Sequence, residues 1–293
     1  MHQMACHLCG TKHFSLLYPL ETFAVVRCQR CGLVSTTLRV DKTVLEQMYG
    51  SDYFQERQDY YFENPIVNSH IAKENTNIQD FRRGLSLIEE YRSRGRLLDV
   101  GCALGIFLSI ARERGWEVYG VDISPYAASY AQKVLGLDVV AGEIEDAQFP
   151  SRWFDVVTLW DVIEHLPDPS RSLQEIHRTL KDDGLLLVNT PNEAGLLRLL
   201  AGLIFRLSGG KISYPVRKLY HQFHLYYFTP QTLQTLLEKN GFRLLRLEKK
   251  CIPLIKARGR PWERWMVSLL SWPERLLGRE FELLALAQKG EET

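Results

Sequence analysis

The chain has 293 residues, of which 45% are hydrophobic and 24% are charged, and its formal net charge is +1. This composition excludes a wholly disordered or collagen-like chain, and the length allows one large domain with a small one. The near-neutral charge argues against a dedicated nucleic-acid-binding protein, so no nucleic-acid partner is expected. Because the sequence contains neither an apolar signal-peptide core nor a run of about 18 apolar residues, we expect a cytoplasmic protein.

Four of the six cysteines form two pairs near the N-terminus. Cys6 and Cys9 make one C-x-x-C motif, and Cys28 and Cys31 make a second one after 18 intervening residues. Two such turns can present four thiolates to one Zn²⁺ in the closed tetrahedral arrangement of a structural site. The alternative is two disulfides or free thiols, although a cytosolic chain should keep its thiols reduced. Residues 1–40 are therefore predicted to form a zinc ribbon.

Residues 41–95 are predicted to form an aromatic connector followed by a helix from about Ile71 to Tyr91. The connector carries six aromatic residues, namely Tyr49, Tyr53, Phe54, Tyr60, Tyr61 and Phe62. We expect these rings to pack the helix against the next domain rather than to contact a substrate.

From Arg96 onwards, apolar runs alternate with amphipathic stretches, which is typical of βαβ units around a parallel sheet. Seven strands are predicted, at Arg96–Val100, Trp116–Ile123, Asp138–Ala141, Phe154–Trp160, Leu185–Asn189, Phe242–Leu247 and Phe281–Ala287. Three helices begin with a capping residue followed by proline, at Ser124, Asp168 and Thr229. The pattern predicts a doubly wound α/β domain over residues 96–289.

The turn after the first of these strands is rich in glycine. Gly101 and Gly105 flank Cys102, Ala103 and Leu104, and Asp122 ends the second strand 21 residues after Gly101. Glycines in such a turn let a ligand approach the carboxyl edge of the sheet, and a carboxylate in the position of Asp122 can accept both hydroxyls of a ribose. The G-x-x-x-G spacing differs from the G-x-G-x-x-G turn that nicotinamide dinucleotides favour.

These motifs resemble those of the class I S-adenosylmethionine-dependent methyltransferases, whose first motif is an acidic residue followed by V-G-x-G-x-G. Asp99 supplies the acidic residue here, and Ala103 stands where the family usually has its middle glycine. No requirement for a positive φ is evident from the sequence at that position. The resemblance implies a seven-stranded Rossmann-like methyltransferase sheet, with the zinc ribbon as a small N-terminal module.

The resemblance also assigns parts of the cofactor to individual residues. It places Asp122 on the ribose, Glu143 on the adenine amino group and Ile144 against the adenine ring. The segment from Trp160 to Leu166 corresponds to the loop beside the methyl donor. The implied S-adenosylmethionine site consists of Asp99, Gly101, Gly105, Asp122, Ile123, Glu143, Ile144 and Trp160.

Methyl transfer to a hydroxyl would need a general base. His165, just beyond the fourth strand, is the first candidate, and His221 and His224 on a later segment are the second candidates. The alternative is that these histidines are structural. No Asn/Asp-Pro-Pro-Tyr/Phe turn follows the fourth strand, which disfavours methylation of nucleobases.

Two segments, 194–224 and 251–279, are predicted to be basic apolar insertions. The first contains five Lys or Arg and no acidic residue, and the second carries Trp262 and Trp265 at helical spacing. Basic helices with tryptophan suit an anionic membrane surface or a lipid-linked anionic substrate. We expect the phosphates to meet five arginines, namely Arg198, Arg206, Arg258, Arg260 and Arg264. The alternative is that both helices pack on the sheet or form a homodimer interface.

The zinc module followed by this domain resembles sugar C-methyltransferases and their relatives in surface-polysaccharide pathways. We therefore predict methyl transfer to a hydroxyl, less favourably a carbon, of a sugar, a lipid-linked glycan or another small-molecule acceptor. One alternative is a quinone- or polyketide-type O-methyltransferase, which the Glu164-His165 pair would also suit. Another is a zinc-ribbon adaptor with a vestigial cofactor domain, which failure to bind S-adenosylmethionine would favour.

Overall fold

The structure is a computed structural model that describes residues 5–40, 42–55, 76–251 and 261–290. Three antiparallel strands come first, β1 (Phe14–Pro19), β2 (Ala24–Cys28) and β3 (Val34–Thr36). Three helices follow, α1 (Lys42–Met48), α2 (Ser51–Gln55) and α3 (Thr76–Glu89). The predicted helix begins at Ile71, but residues 71–75 and the aromatic residues Tyr60, Tyr61 and Phe62 lie outside the described residues.

The remaining strands and helices form the larger domain. In order they are β4 (Arg96–Val100), α4 (Ile106–Glu113), β5 (Glu117–Asp122), α5 (Pro125–Leu135), β6 (Asp138–Ala141), β7 (Phe154–Trp160), α6 (Pro169–Thr179), β8 (Leu180–Pro191), α7 (Leu196–Leu207), α8 (Tyr214–Leu219), β9 (Tyr226–Tyr227), α9 (Pro230–Lys239), β10 (Phe242–Lys250), α10 (Pro261–Leu276) and β11 (Glu282–Lys289). All seven strands predicted from the sequence are present.

Seven strands form the central sheet in the order β10-β11-β8-β7-β4-β5-β6. The strands from β8 to β6 are parallel, whereas β11 pairs antiparallel with both β8 and β10. The predicted seven-stranded Rossmann-like fold is therefore confirmed. The strand order reverses beside β4, and open α/β sheets bind ligands at such a point, outside the carboxyl ends of their strands.

Helices cover both faces of this sheet, because strands of a parallel sheet are apolar on both sides. Helices α3, α4 and α5 pack on one face through a core that includes Leu85, Phe107 and Ala131. Helices α6 and α9 pack on the other face, where Ile176 and Leu236 join residues of the N-terminal region.

The three predicted helix caps are present. Ser124 accepts the backbone N–H of Ala127, and Asp168 accepts those of Ser170 and Arg171. Thr229 forms a capping box with Thr232 at the start of α9. Each side chain satisfies an N–H group that the first helical turn leaves without a partner.

The N-terminal strands are not a separate sheet. Strand β9, which comes from the larger domain, adds to the edge of β3, so the small sheet has the order β1-β2-β3-β9. Strands β1 to β3, within residues 5–40, therefore share a sheet with the region just after His224. As for the membrane, no helix in the described part of the chain has both the length and the apolar character needed to cross a bilayer.

Candidate active site

A cavity of about 650 Å³ opens at the carboxyl ends of the parallel strands. Its lining includes seven of the eight residues assigned to the cofactor, namely Asp99, Gly101, Asp122, Ile123, Glu143, Ile144 and Trp160. All three candidate catalytic histidines, His165, His221 and His224, also line it. Residues from four strands and two later segments therefore converge on one cavity.

The glycine-rich turn bends through left-handed backbone conformations. Gly101 has a φ of 72°, and a Cβ there would lie 2.5 Å from a methyl carbon of Val162. Ala103 has a φ of 47°, so the expectation that this position needs no positive φ is wrong. An alanine in this conformation is strained, and the surrounding contacts must hold it there.

Gly105 is the one predicted cofactor residue that is not among the residues lining the cavity. It has a φ of 83° and caps the N-terminus of α4. A Cβ at this position would lie 2.4 Å from the Cδ1 atom of Leu137, so the glycine allows the turn to pack against the start of β6. Gly105 therefore affects the cavity only through the conformation of the turn.

Asp122 holds the turn in place. Its carboxylate accepts the backbone N–H of Ala103 at 2.7 Å and that of Ser124 at 2.8 Å, one at each oxygen. Burial raises the pKa of Asp122 to about 6, and the two backbone N–H groups oppose this rise. Each oxygen keeps a further lone pair, so the carboxylate can still accept a hydroxyl from a ligand.

Asp99 lies deeper, where its carboxyl accepts the hydroxyl of Thr158 at 2.6 Å. Burial raises the pKa of Asp99 to about 8, and the charge of Asp122 raises it further, although the Thr158 hydrogen bond opposes the change. Neither carboxyl forms an ion pair with any described cation. Two buried acids without a cation fit a ligand that brings positive charge and hydroxyl donors, as S-adenosylmethionine does.

The remaining cofactor candidates form the walls of the cavity. Ile144 is buried, and Glu143 beside it is partly exposed, with a pKa that burial and the charge of Glu145 raise. Trp160 packs against Phe81, with their ring centroids 4.9 Å apart. The indole N–H of Trp160 is buried and has no hydrogen-bond partner within the described chain, so it is a donor that a bound ligand could use.

Part of the aromatic connector also borders the cavity. Tyr49, Tyr53 and Phe54 are among its lining residues, whereas the expectation that the rings pack the helix rather than contact a substrate stays a prediction. Phe54 stacks on Tyr126 of α5, with 5.9 Å between the ring centroids. Helix α2 therefore packs beside the glycine-rich turn, since Phe54 shares an apolar cluster with Ala103 and Leu104.

Three histidines form a cluster at the opposite end of the cavity. The ring centroid of His224 lies 4.6 Å from that of His165 and 4.0 Å from that of His221. Burial lowers the pKa of His224 well below its ordinary value, and the neighbouring histidines lower it further. The rings of His165 and His224 are therefore neutral at pH 7, which allows them to lie this close together.

The tautomer of His165 follows from its hydrogen bond. Its Nδ1 atom lies 2.5 Å from the backbone carbonyl of Phe223 and 3.1 Å from the hydroxyl oxygen of Tyr49. Because the carbonyl can only accept, we assign the proton of the neutral ring to Nδ1, which donates to it. The Nε2 atom is then unprotonated and able to accept a proton. Burial lowers the pKa of His165 to about 4, against the opposing effect of the Phe223 carbonyl.

A carboxylate adjoins this cluster. Glu164 is buried, and its Oε2 atom accepts the hydroxyl of Thr190 at 2.9 Å. Ligand atoms of Glu164, His165 and His224 lie within 4.8 Å of one another, so these three side chains could hold a divalent cation.

Arg198 lines the cavity, although the sequence predicted that it lies at a membrane surface. Only 2% of this residue is exposed, so the prediction that it meets lipid phosphates is wrong. Its guanidinium lies over the rings of Tyr220 and Tyr227 and 3.7 Å from the carboxylate of Glu193. The sequence contained a signal for this burial, because Arg198 lies among leucines in the first turn of a largely apolar helix. A charge at such a position is buried only with a partner.

The four N-terminal cysteines converge at a second site. Their sulfur atoms lie within 4.8 Å of one another, and the Cys6–Cys31 and Cys9–Cys28 sulfur distances are both 3.5 Å. These are free thiols rather than disulfides. Around a zinc ion with Zn–S bonds of about 2.3 Å, tetrahedral sulfurs would lie a little under 4 Å apart, so the cluster has the size of such a site.

Comparisons with known proteins agree with this geometry. The family described as "Methyltransferase domain" matches residues 71–247. The mitochondrial ubiquinone biosynthesis O-methyltransferase of Schizosaccharomyces pombe is 34% identical over 127 residues, which cover 39% of this chain and 46% of that protein. The ubiquinone biosynthesis O-methyltransferase of Pseudomonas entomophila is 35% identical over 113 residues, covering 36% and 48%. The chain thus spans about half the length of these curated relatives.

The crystal structure of magnesium protoporphyrin IX methyltransferase from Synechocystis, with bound SAH, has the same fold. Its TM-score is 0.57 at 17% identity, and the match covers 85% of this chain and all of that one. The predicted sugar or glycan acceptor is wrong, because the curated relatives are named as O-methyltransferases of ubiquinone biosynthesis. On the family match, which covers more than half of the chain, this chain belongs to the methyltransferase domain family.

Proposed function

We propose that the protein transfers a methyl group from S-adenosylmethionine to a phenolic hydroxyl of a small quinol-type acceptor. The names of the curated relatives support an oxygen acceptor on such a ring. The cofactor would occupy the half of the cavity lined by Asp99, Asp122 and Glu143, and the acceptor would occupy the half lined by the histidines. Gly101, Ile123, Ile144 and Trp160 would contact the cofactor, while Gly105 would shape the turn.

The observation that carries this proposal is the state of His165. Its Nε2 atom is unprotonated and can accept a proton. The pKa of about 4 makes the imidazole a weak base that is neutral at pH 7. A weak base suits an acidic hydroxyl, and a phenol has a pKa of about 10, as the side chain of tyrosine shows. An aliphatic hydroxyl holds its proton more tightly, so this site suits a phenol better.

The residues would act mainly by orientation. When bound, S-adenosylmethionine supplies an electrophilic methyl group on a sulfonium. Asp122 would hold the ribose and the turn, and the histidine cluster would hold the acceptor hydroxyl in line with the methyl carbon, as proximity catalysis requires. His165 Nε2 would take the phenolic proton while the oxygen–carbon bond forms and the sulfur–carbon bond breaks. His221 and His224 are second candidates for this role.

The test is methyl transfer with labelled cofactor. Purified protein would be incubated with catechol and with a short-tailed hydroxylated benzoquinol, and a sugar nucleotide would serve as the non-aromatic control. We expect a labelled methyl ether from the aromatic acceptors, identified by mass spectrometry, and none from the sugar nucleotide. Binding of cofactor without any methyl ether would contradict the proposed acceptor class.

We also propose that Cys6, Cys9, Cys28 and Cys31 hold a structural zinc ion and that residues 1–40 are the module it stabilises. The sulfur distances support this assignment, as does a backbone N–H from Cys31 that donates to the Cys28 sulfur at 3.4 Å. A module of some 40 residues has little core of its own, and four thiolates on one zinc contribute about 10–16 kcal/mol to folding.

Finally, we propose that the protein associates peripherally with anionic membranes. Helices α7 and α10 contact each other. These helices and the segments that follow them carry exposed large apolar side chains, here called the apolar patch. It consists of Leu199, Leu203, Ile204, Leu207, Ile212, Tyr214, Trp265, Leu269, Trp272, Leu276 and Leu277. Arg206, Lys211 and Arg275 are exposed on the same elements and suit anionic headgroups. Arg258 and Arg260 lie outside the described residues, as do the side chains of Trp262 and Arg264.

A further inference from the structure

Strand β9 connects the N-terminal module to the histidine cluster. On one edge it pairs antiparallel with β3, so that Ser35 faces Tyr226. The backbone N–H of Thr36 donates to the carbonyl of Leu225 at 2.9 Å and extends this pairing toward His224. The module is thus hydrogen-bonded to the residue that directly follows His224.

The other side of this segment is bonded to the loop that carries His165. The backbone N–H of Leu225 donates to the carbonyl of Glu164 at 2.8 Å. The hydroxyl of Tyr226 donates to the carbonyl of Pro167 at 3.1 Å. Residues 225–227 therefore lie between the module and the loop, and each side supplies hydrogen bonds to them.

Side chains of the module add to this junction. The ring of His7 packs edge-on against Tyr226, with 5.4 Å between the ring centroids. Leu8 and Leu33 are buried in the same core as Ile163 of the loop. The amine of Lys239 on α9 donates to the carbonyl of Leu8 at 2.7 Å and ties the module to the helix layer on the same face of the sheet.

We propose that the N-terminal module is the positioning element for the acceptor half of the active site and acts through β9 on His224 and His165. This inference rests on the proposed function of those histidines. A strand of two residues has no stability of its own, and without β3 the backbone groups on that edge, such as the Leu225 carbonyl, would lose their partners. Residues 221–228 would then be held from the loop side alone, and the two imidazoles would be less firmly fixed relative to each other.

The module should position only the acceptor half of the active site, because other elements hold the residues assigned to the cofactor. The bonds from Ala103 and Ser124 to Asp122 join the turns after β4 and β5 and involve no residue of the module. The residues described in the module do not line the main cavity. Disturbing the junction should therefore change acceptor handling and leave cofactor affinity nearly intact.

The experiment compares two neighbouring prolines in the full-length protein. Thr36→Pro removes the N–H that bonds to Leu225, whereas Thr37→Pro removes one that bonds to Ala24 within the module. Hydrogen exchange of residues 221–228, cofactor affinity by calorimetry, and acceptor KM and kcat would be measured for both. His7→Ala is a milder variant of the same junction, and it would replace Thr36→Pro if that variant fails to fold.

We expect Thr36→Pro to speed exchange at residues 221–228 by about tenfold, the change that corresponds to losing one buried hydrogen bond. Acceptor kcat/KM should fall by a similar factor, while cofactor affinity stays within about twofold and Thr37→Pro behaves like the wild type. Unchanged exchange at residues 221–228 in both Thr36→Pro and His7→Ala would overturn the proposal. Because exchange is measured without acceptor, this result is independent of whether the acceptor class is correct.

Discussion

Asp122 anchors the backbone of Ala103, and we propose that the same carboxylate accepts the ribose hydroxyls of the cofactor. Asp122→Ala would remove both interactions. Hydrogen bonds to a charged acceptor contribute about 1.5–3 kcal/mol, so cofactor affinity should fall by about 10- to 100-fold. Calorimetry measures this directly, with Asp122→Asn as a control that keeps one acceptor oxygen and should lose less. An unchanged affinity in Asp122→Ala would contradict the assignment.

The pKa of Asp99 makes stability depend on pH. Its folded value of about 8 lies above the ordinary value of 3.8, so the folded protein keeps a proton that the unfolded chain loses. Between these two values stability should therefore fall as pH rises, by at most about 1.4 kcal/mol per pH unit. Denaturant unfolding of the cofactor-free protein at pH 5 and pH 8 tests this. Asp99→Asn should lose less stability than the wild type over that interval, and equal losses would refute the buried-acid account.

At the scale of residues, local sequence patterns were enough to identify side chains that meet in the structure. The cysteines were identified from their C-x-x-C spacing, and the acids and His165 from their positions at or just after the ends of predicted strands. The left-handed Ala103 could not be predicted, because the bond from its N–H to a carboxylate 19 residues away accompanies that conformation. Nor could the tautomer of His165, which depends on the carbonyl of Phe223, 58 residues away.

At the scale of elements, helices α7 and α10 present the exposed apolar patch. If the patch enters a bilayer interface, the protein should float with anionic vesicles at low salt and be released as salt screens the charges. Trp265→Ala combined with Trp272→Ala should weaken flotation without changing cofactor affinity, because neither residue lines the cavity. Tyr91→Ala removes an exposed ring elsewhere and is the matched control.

Two outcomes would contradict membrane binding. The wild type could fail to float with anionic vesicles, or it could sediment as a dimer in which the patch is protected from exchange. The sequence predicted these two helices from apolar periodicity and charge. It did not predict that the inner face of α7 buries Arg198, because the partner Glu193 and the surrounding rings are brought there only by the tertiary fold.

At the scale of the whole molecule, the four-cysteine site should determine whether the N-terminal module folds. Elemental analysis should find one zinc ion per chain, and Cys28→Ser combined with Cys31→Ser should abolish it. The loss of a contribution of about 10–16 kcal/mol should expose residues 5–40 to proteolysis. Cys251→Ser is the control, since this thiol lies outside the cluster. An ordered module in a metal-free preparation would contradict the zinc assignment.

Most of the overall architecture followed from the sequence. The seven strands, their caps and the doubly wound class are set by apolar periodicity and by turn residues. The sharing of β9 between the two parts of the chain was not predicted, because a two-residue strand has no periodicity to detect. Its position depends on hydrogen bonds between segments about 190 residues apart, such as Ser35 with Tyr226.

The most direct test of the central claim is a single-turnover measurement of methyl transfer to the phenolic acceptor by the wild type and by His165→Ala. Removing a general base should slow the chemical step by about 10²- to 10⁴-fold, while cofactor affinity is retained. His13→Ala, which changes an exposed histidine, should behave like the wild type. We expect a labelled methyl ether whose rate of formation depends on His165. Transfer at the wild-type rate in His165→Ala, or no transfer to any phenol by the wild type, would contradict it.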